Sequence, residues 1–324
     1  MNLFKKMGKL ALGAILLTTF ASQSAIAAKY KVGVSVPSAD HGWTAGLLWW
    51  ANKAVADFKK SDDDVEFYVV AASSGSKQVG DVEDLMIRGI DALVILPHNP
   101  ATLQTVINEA YDSDIYTVVV DRELETPSQN VFIAGDNAGL GTVSGKWLAK
   151  ELKEKGNIVV IEGMPIPINK QRVDAFDAEI AKHKGIKILD SQTADWSTQK
   201  ALAVMENFLQ KHPKIDAVWC QDDDMLKGVL QAIKESGRTD IKTVLGGAGS
   251  KDIYKMIKDN NPVVRASVTY PPSMVASGIA LAVAGLKNEK VGKMYHTSPS
   301  RVILAAELVD KHNVEAFYTP ESAY

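Results

Sequence analysis

Apolar runs of strand length alternate along the chain with amphipathic stretches of helical length. Residues 31–35, 66–71, 92–96 and 116–120 are mostly apolar strand candidates, and residues 43–59, 78–88 and 101–111 read as the helices between them. Strands that are apolar at successive positions are buried on both faces; joined by helices, they form a parallel sheet with helical crossovers. The rhythm then starts afresh. Residues 157–161, 187–190, 217–220, 243–245 and 265–268 read as strands, with helices over 170–182, 198–211, 225–236 and 252–258. Two βα series of similar size predict an α/β protein of two open parallel-sheet lobes. A later helix over 272–286 begins at Pro271-Pro272, a place suited to a change of lobe because each proline fixes φ and lacks an N–H.

Composition narrows this picture. The chain has 324 residues, 46% hydrophobic, 23% charged and 7% aromatic, which excludes disorder, collagen-like repeats and a coiled-coil rod. The length fits two domains better than one. A formal charge of −3, from 36 basic and 39 acidic residues, gives no basic excess of the kind a nucleic-acid binder shows. The single cysteine, Cys220, excludes an internal disulfide framework and a cysteine-based zinc cluster.

The first residues carry an address. Lys5, Lys6 and Lys9 precede an uncharged apolar run over 10–20, and Ala25-Ile26-Ala27 supplies a small-x-small cleavage site. This is the layout of a secretory signal peptide, and the run is too short for a membrane span. Cleavage after Ala27 removes three lysines and takes the formal charge from −3 to −6. A soluble periplasmic protein is the expectation.

In open parallel sheets, ligands bind beyond the carboxyl ends of the strands. Asp121-Arg122 directly follows the strand at 116–120. A carboxylate accepts from hydroxyls and a guanidinium donates in a planar fork, so the pair suits the vicinal hydroxyls of a sugar or polyol; a surface ion pair at the strand end is the alternative. Trp43 and Trp196 follow strands of opposite lobes and offer two aromatic planes for the C–H face of a sugar ring, whereas Trp49, Trp50, Trp147 and Trp219 fall in packing patterns. Asp222-Asp223-Asp224 precedes a helix, where helix capping accounts for at least one acid. A calcium site is the other reading, but the spaced ligands of an EF-hand are missing.

Other motifs fail. Gly139-Leu140-Gly141 lacks the third glycine of a dinucleotide fingerprint, residues 246–251 lack Walker spacing, and there is neither an HExxH pair nor a G-x-S-x-G elbow. Cys220 lies in an apolar strand and reads as a small buried hydrophobe. No cofactor, no metal and no enzymatic activity are expected.

Val119-Val120-Asp121-Arg122, Ala134-Gly135-Asp136-Asn137, Gln171-Arg172-Val173-Asp174-Ala175-Phe176, Ala194-Asp195-Trp196 and Cys220-Gln221-Asp222-Asp223-Asp224-Met225 stand in this order. With them the mature chain resembles the ribose-binding-protein-like family of ABC-transporter substrate-binding proteins, which implies the type I periplasmic binding fold. LacI-type repressors share such lobes, but the export signal and the lack of an N-terminal helix-turn-helix argue against one. The resemblance implies ligand contacts from Asp121 and Arg122 in the N-terminal lobe and from Arg172 in the C-terminal lobe, with Trp196 as a stacking residue and Trp43 facing it. Ser35 and Asn137 also match site positions, and Tyr270 stands at the second hinge where ribose binders carry a glutamine. Asp222 replaces the family's asparagine, Ala248 replaces its aspartate, and Leu96 replaces a polar position, leaving His98 or Asn99 to substitute. With His41 and Trp43 in the first loop, these departures imply a ligand other than ribose: another pentose, a hexose or an open-chain polyol.

The expected organisation is a signal peptide over 1–27, an N-terminal lobe over 28–134 plus 271–299, and a C-terminal lobe over 135–270 plus 300–324. Crossings near 133–135, 270–271 and 297–301 form the hinge. The implied function is capture of a sugar or polyol between the lobes by a monomer, and its delivery to a membrane permease. The rivals are a sensor presenting a sugar or autoinducer to a chemoreceptor or sensor kinase and, from another class, a periplasmic carbohydrate enzyme.

Overall fold

The computed structural model describes residues 30–288 and 300–324; the leader at 1–27 and most of the crossing expected at 297–301 lie outside them. The first lobe holds β1 (Tyr30–Pro37), α1 (Gly42–Ser61), β2 (Val65–Ala72), α2 (Gly75–Ile87), β3 (Ala92–Ile95), α3 (Pro100–Asp112), β4 (Tyr116–Val120) and β5 (Val131–Gly135). The second holds α4 (Asn137–Glu151), β6 (Lys155–Glu162), α5 (Pro167–Ile180), β7 (Gly185–Thr193), α6 (Thr198–Lys211), β8 (Ala217–Cys220), α7 (Asp223–Ser236), β9 (Thr243–Leu245), α8 (Lys251–Lys258) and β10 (Val264–Val268). The chain returns to the first lobe with α9 (Met274–Lys287) and β11 (Arg301–Leu304), then ends in the second with β12 (Leu308–Asp310).

The strands form two six-stranded sheets, ordered β11-β5-β4-β3-β1-β2 and β12-β10-β9-β8-β6-β7. All these pairings are parallel except the antiparallel one of β12 on β10. The apolar runs have the consequence their pattern implies. Val118 and Val120 join a core under α9 and α1, while Val119 faces the opposite core with Leu103 and Ile107 of α3. Successive strand residues point to opposite faces, so an all-apolar strand needs cover on both sides. Trp219 stacks on Phe176 with ring centroids 3.8 Å apart, and Cys220 is fully buried.

Three features differ from the sequence reading. Strand β5 and helix α4 extend that pattern, and α4 carries Gly139, Gly141 and Gly145, residues that weaken a helix. They are there for contact: a Cβ on Gly141 would overlap the carbonyl oxygen of Arg172, and one on Gly145 would press on Glu179 of α5. The third correction concerns residues 301–304, assigned above to the C-terminal lobe. They pair in parallel with β5 of the first sheet, so the last crossing runs through residues 305–307. Among the described residues no helix is long and apolar enough to cross a membrane.

Candidate functional site

Each sheet has a point where its strand order reverses, between β1 and β3 in the first lobe and between β6 and β8 in the second. Crevices open at the carboxyl ends of such strands, and here the two crevices face one another.

In the N-terminal lobe, Asp121 leaves β4 with φ 65°, a left-handed conformation that aspartate adopts more readily than most residues. Its Oδ1 accepts from the Tyr270 hydroxyl at 2.6 Å, and its Oδ2 lies 3.8 Å from Nε of Arg122. Arg122 is anchored by Nη1, which donates to the carbonyls of Pro97, at 3.2 Å, and of His98. Nε and Nη2 of Arg122 have no hydrogen-bond partner among the described residues. His41 caps α1 in a reciprocal box: its Nδ1 accepts from the Thr44 amide at 3.3 Å, and Thr44 Oγ1 accepts from the His41 amide at 3.2 Å. Burial pulls the His41 imidazole below its ordinary pKa, against the pull of the Asp40 and Asp224 carboxylates. The neutral ring, accepting at Nδ1, then carries its proton on Nε2. Trp43 is fixed across the cleft. Its indole N–H donates to the carbonyl of Tyr270 at 2.9 Å and its amide to Asp224 Oδ2 at 3.1 Å.

In the C-terminal lobe, Nε of Arg172 donates to Asn137 Oδ1 at 2.9 Å, and Nη1 reaches the Gln221 carbonyl at 3.5 Å. Its guanidinium lies 4.4 Å from the Tyr270 ring centroid and 5.2 Å from that of Trp196, within cation–π range. Asp195 and Trp196 both take positive φ, 54° and 61°, and the turn lays the indole on Gly163, where any Cβ would overlap the ring. Asp222 caps α7, its Oδ1 accepting from the Met225 amide at 2.8 Å. Burial raises its carboxyl well above the usual range, and the neighbouring charges of Asp224 and Asp223 add to that. Burial also lifts Asp223 to about 7, although it accepts from the amides of Ser250 at 2.7 Å and Gly249 at 3.1 Å and from the Ser267 hydroxyl. The capping expected of at least one acid in this triplet falls to Asp222. Among the described residues no group of three or more His, Cys, Asp or Glu side chains could hold a metal ion.

Eight predicted residues line one cavity: His41, Trp43, Asp121, Arg122, Arg172, Trp196, Asp222 and Tyr270. The space open to the centre of a water-sized sphere is ≈ 50 Å³, about four times what one water needs. Ser35, His98 and Asn137, also expected as ligand contacts, are not among its lining residues. Ser35 is fully buried, its hydroxyl taking a hydrogen bond from Gln78. His98 serves through its backbone, with its amide on Gln78 and its carbonyl on Arg122. Asn137 bridges Arg172 and Tyr270. Sequence reasoning missed Ile166 and Ile168 as lining residues and named Ala248 only as a departure from the family's aspartate. Their place after β6 and β9 was the available signal; polar and aromatic side chains drew attention away from them.

The family described as a periplasmic binding protein domain matches residues 32–290. The ribose import binding protein of Bacillus subtilis (strain 168) is 31% identical over 248 residues, covering 76% of this chain and 78% of its own. This chain belongs to the ribose-binding-protein-like periplasmic binding proteins. Two further relatives of this binding protein widen the comparison. The galactofuranose-binding protein of Escherichia coli (strain K12) is 30% identical over 267 residues, 78% of this chain and 81% of its own. The solved fructose-binding periplasmic domain of a hybrid two-component system superposes with TM-score 0.76 at 27% identity, covering 89% of this chain and 93% of its own. The type I two-lobe fold expected from the sequence is the fold observed.

Proposed function

We propose that the chain is exported to the periplasm, where it captures one monosaccharide or sugar alcohol (a pentose, hexose or polyol other than ribose) between its lobes and delivers it to an ABC-transporter permease. One observation carries this reading: an acid and a guanidinium from each lobe, each with hydrogen-bonding capacity left unused, line one cavity together with Trp43 and Trp196. Asp121 and Asp222 each commit Oδ1 to the protein and leave Oδ2 without a hydrogen-bond partner among the described residues. Arg122 and Arg172 are each anchored through part of the fork, which leaves Nη2 without a hydrogen-bond partner among the described residues, and both line the cavity. Acceptors and donors of this kind match a polyhydroxylated guest, and the two indoles match its C–H faces. Each charge-assisted hydrogen bond contributes about 1.5–3 kcal/mol. Several of them, after the costs of association, reach micromolar affinity, about −8 kcal/mol.

Asp222 and Ala248, in place of the asparagine and aspartate of ribose binders, support a ligand other than ribose. The leader at 1–27 supports export, and the mature chain acts as a monomer that docks on the permease through both lobes. A second reading, presentation of the sugar to a chemoreceptor or sensor kinase, is favoured by the relative that is a sensor domain of a two-component system. A thermal-shift screen of pentoses, hexoses and polyols tests the proposal. A bound solute at a hundred times its Kd stabilises by about 2.7 kcal/mol, so one stereochemical series should raise the Tm by several degrees. A panel-wide absence of shift at millimolar concentration, or recovery of a chemically altered sugar, contradicts it.

A further inference from the structure

The sheet order fixes what the C-terminal lobe shows to its guest. Along the strand ends come Tyr270 after β10, Ala248 after β9, Asp222 after β8, Ile166 and Ile168 after β6, and Trp196 after β7. Neighbouring strands are about 4.8 Å apart, so Asp222 is flanked on both sides by groups with no polar side chain. Arg172 is the other charged side chain of this lobe in the cavity.

Two of the apolar residues stand against local preference. Ile166 is the N-cap of α5 and makes no side-chain cap hydrogen bond, at a position that favours Ser, Thr, Asp or Asn. Ala248 has φ 78°, where aspartate, asparagine or glycine is the more usual choice. A chain that gives up a cap and strains an alanine keeps those positions apolar for a reason outside the local backbone. Both line the cavity.

Resting on the sugar reading above, we infer that the ligand ends, toward Ile166 and Ile168, in a carbon without a hydroxyl: a pentose or 6-deoxy sugar in preference to a hexose with a free hydroxymethyl group. A hydroxyl placed against the two isoleucines loses its water and finds no partner, whereas a methyl group gains contact.

Isothermal titration with sugars that share ring stereochemistry and differ only at the C5 substituent tests this. The series carry hydrogen, methyl or hydroxymethyl: L-arabinose, D-fucose and D-galactose; D-xylose, 6-deoxy-D-glucose and D-glucose; L-lyxose, L-rhamnose and L-mannose. In the best-bound series the methyl member should bind most tightly and the hydroxymethyl member at least tenfold more weakly. Ile166→Ser should bring those two within threefold while raising the Tm, because serine restores the missing cap. A hexose bound as tightly as its 6-deoxy partner by the parent protein overturns this inference and leaves the sugar reading standing. Binding of no member in any series overturns both.

Discussion

The two halves of the cleft hold their charged groups differently, and the hinge decides which is which. In the N-terminal lobe Arg122 is anchored by that lobe's own carbonyls at 97 and 98, whereas Asp121 is oriented by Tyr270. In the C-terminal lobe Asp222 is held by its own helix and Arg172 by Asn137 and the Gln221 carbonyl, with its guanidinium over the Tyr270 ring. Of these four groups Asp121 alone takes its hydrogen bond from the crossing at residues 269–273, and Arg172 meets that crossing by ring contact. Tyr270 also receives the Trp43 indole on its carbonyl. One hinge residue thus touches both halves of the site, so a closure that moves it acts on both halves at once.

The largest expected effect comes from removing a group that meets the hinge. Arg172→Ala deletes the main donor of the C-terminal half and should weaken sugar binding by about 3 kcal/mol, roughly a hundredfold. Calorimetry giving an affinity within twofold of the parent removes Arg172 from the site. Next is Gly163→Ala, whose Cβ would displace the Trp196 ring. The cost should be about 1.5–2 kcal/mol, on the order of tenfold to thirtyfold, with little change in far-UV circular dichroism; an unchanged Kd would mean the indole does not face the ligand. Tyr270→Phe keeps the ring under Arg172 and removes the hydroxyl on Asp121. A loss of about 1 kcal/mol, roughly fivefold, is expected. A hundredfold loss would show instead that the hydroxyl touches the ligand.

The smallest effect is a slope against pH. Asp223 titrates at about 7 in the folded chain because it is buried, well above an unfolded aspartate near 3.9. The folded state therefore binds more protons between those values, so this group's stabilisation is present below about pH 4 and is lost as pH rises toward 7. Asp223→Asn should gain Tm relative to the parent across that window, with Asp222 shifted in the same direction by its burial. A Tm difference that stays flat from pH 4 to 7.5 contradicts the shift.

Much of this was legible in the chain itself. The apolar runs marked most strands because two-sided burial leaves no polar position to confuse the pattern, and the rule about strand ends then singled out Asp121, Arg122, Trp196 and Asp222. The helix over 137–151 was illegible because Gly141 and Gly145 answer to α5, a contact that sequence spacing does not express. Ser35 and His98 are absent from the cavity lining for a related reason. Both stand at the right strand ends, but Gln78 fills the space behind β1 and β3 and takes the Ser35 hydroxyl and the His98 amide for itself. Ile166 and Ile168 went unnoticed because a wall that offers no hydrogen bond has no signature until its neighbours are known.

The dependence of closure on both half-sites can be measured directly by small-angle X-ray scattering, with and without saturating concentrations of the tightest-binding sugar. The account predicts a smaller radius of gyration for the liganded parent chain, and no such compaction for Arg172→Ala at the same sugar concentration. Sugar bound by the parent with identical scattering in both states would contradict it.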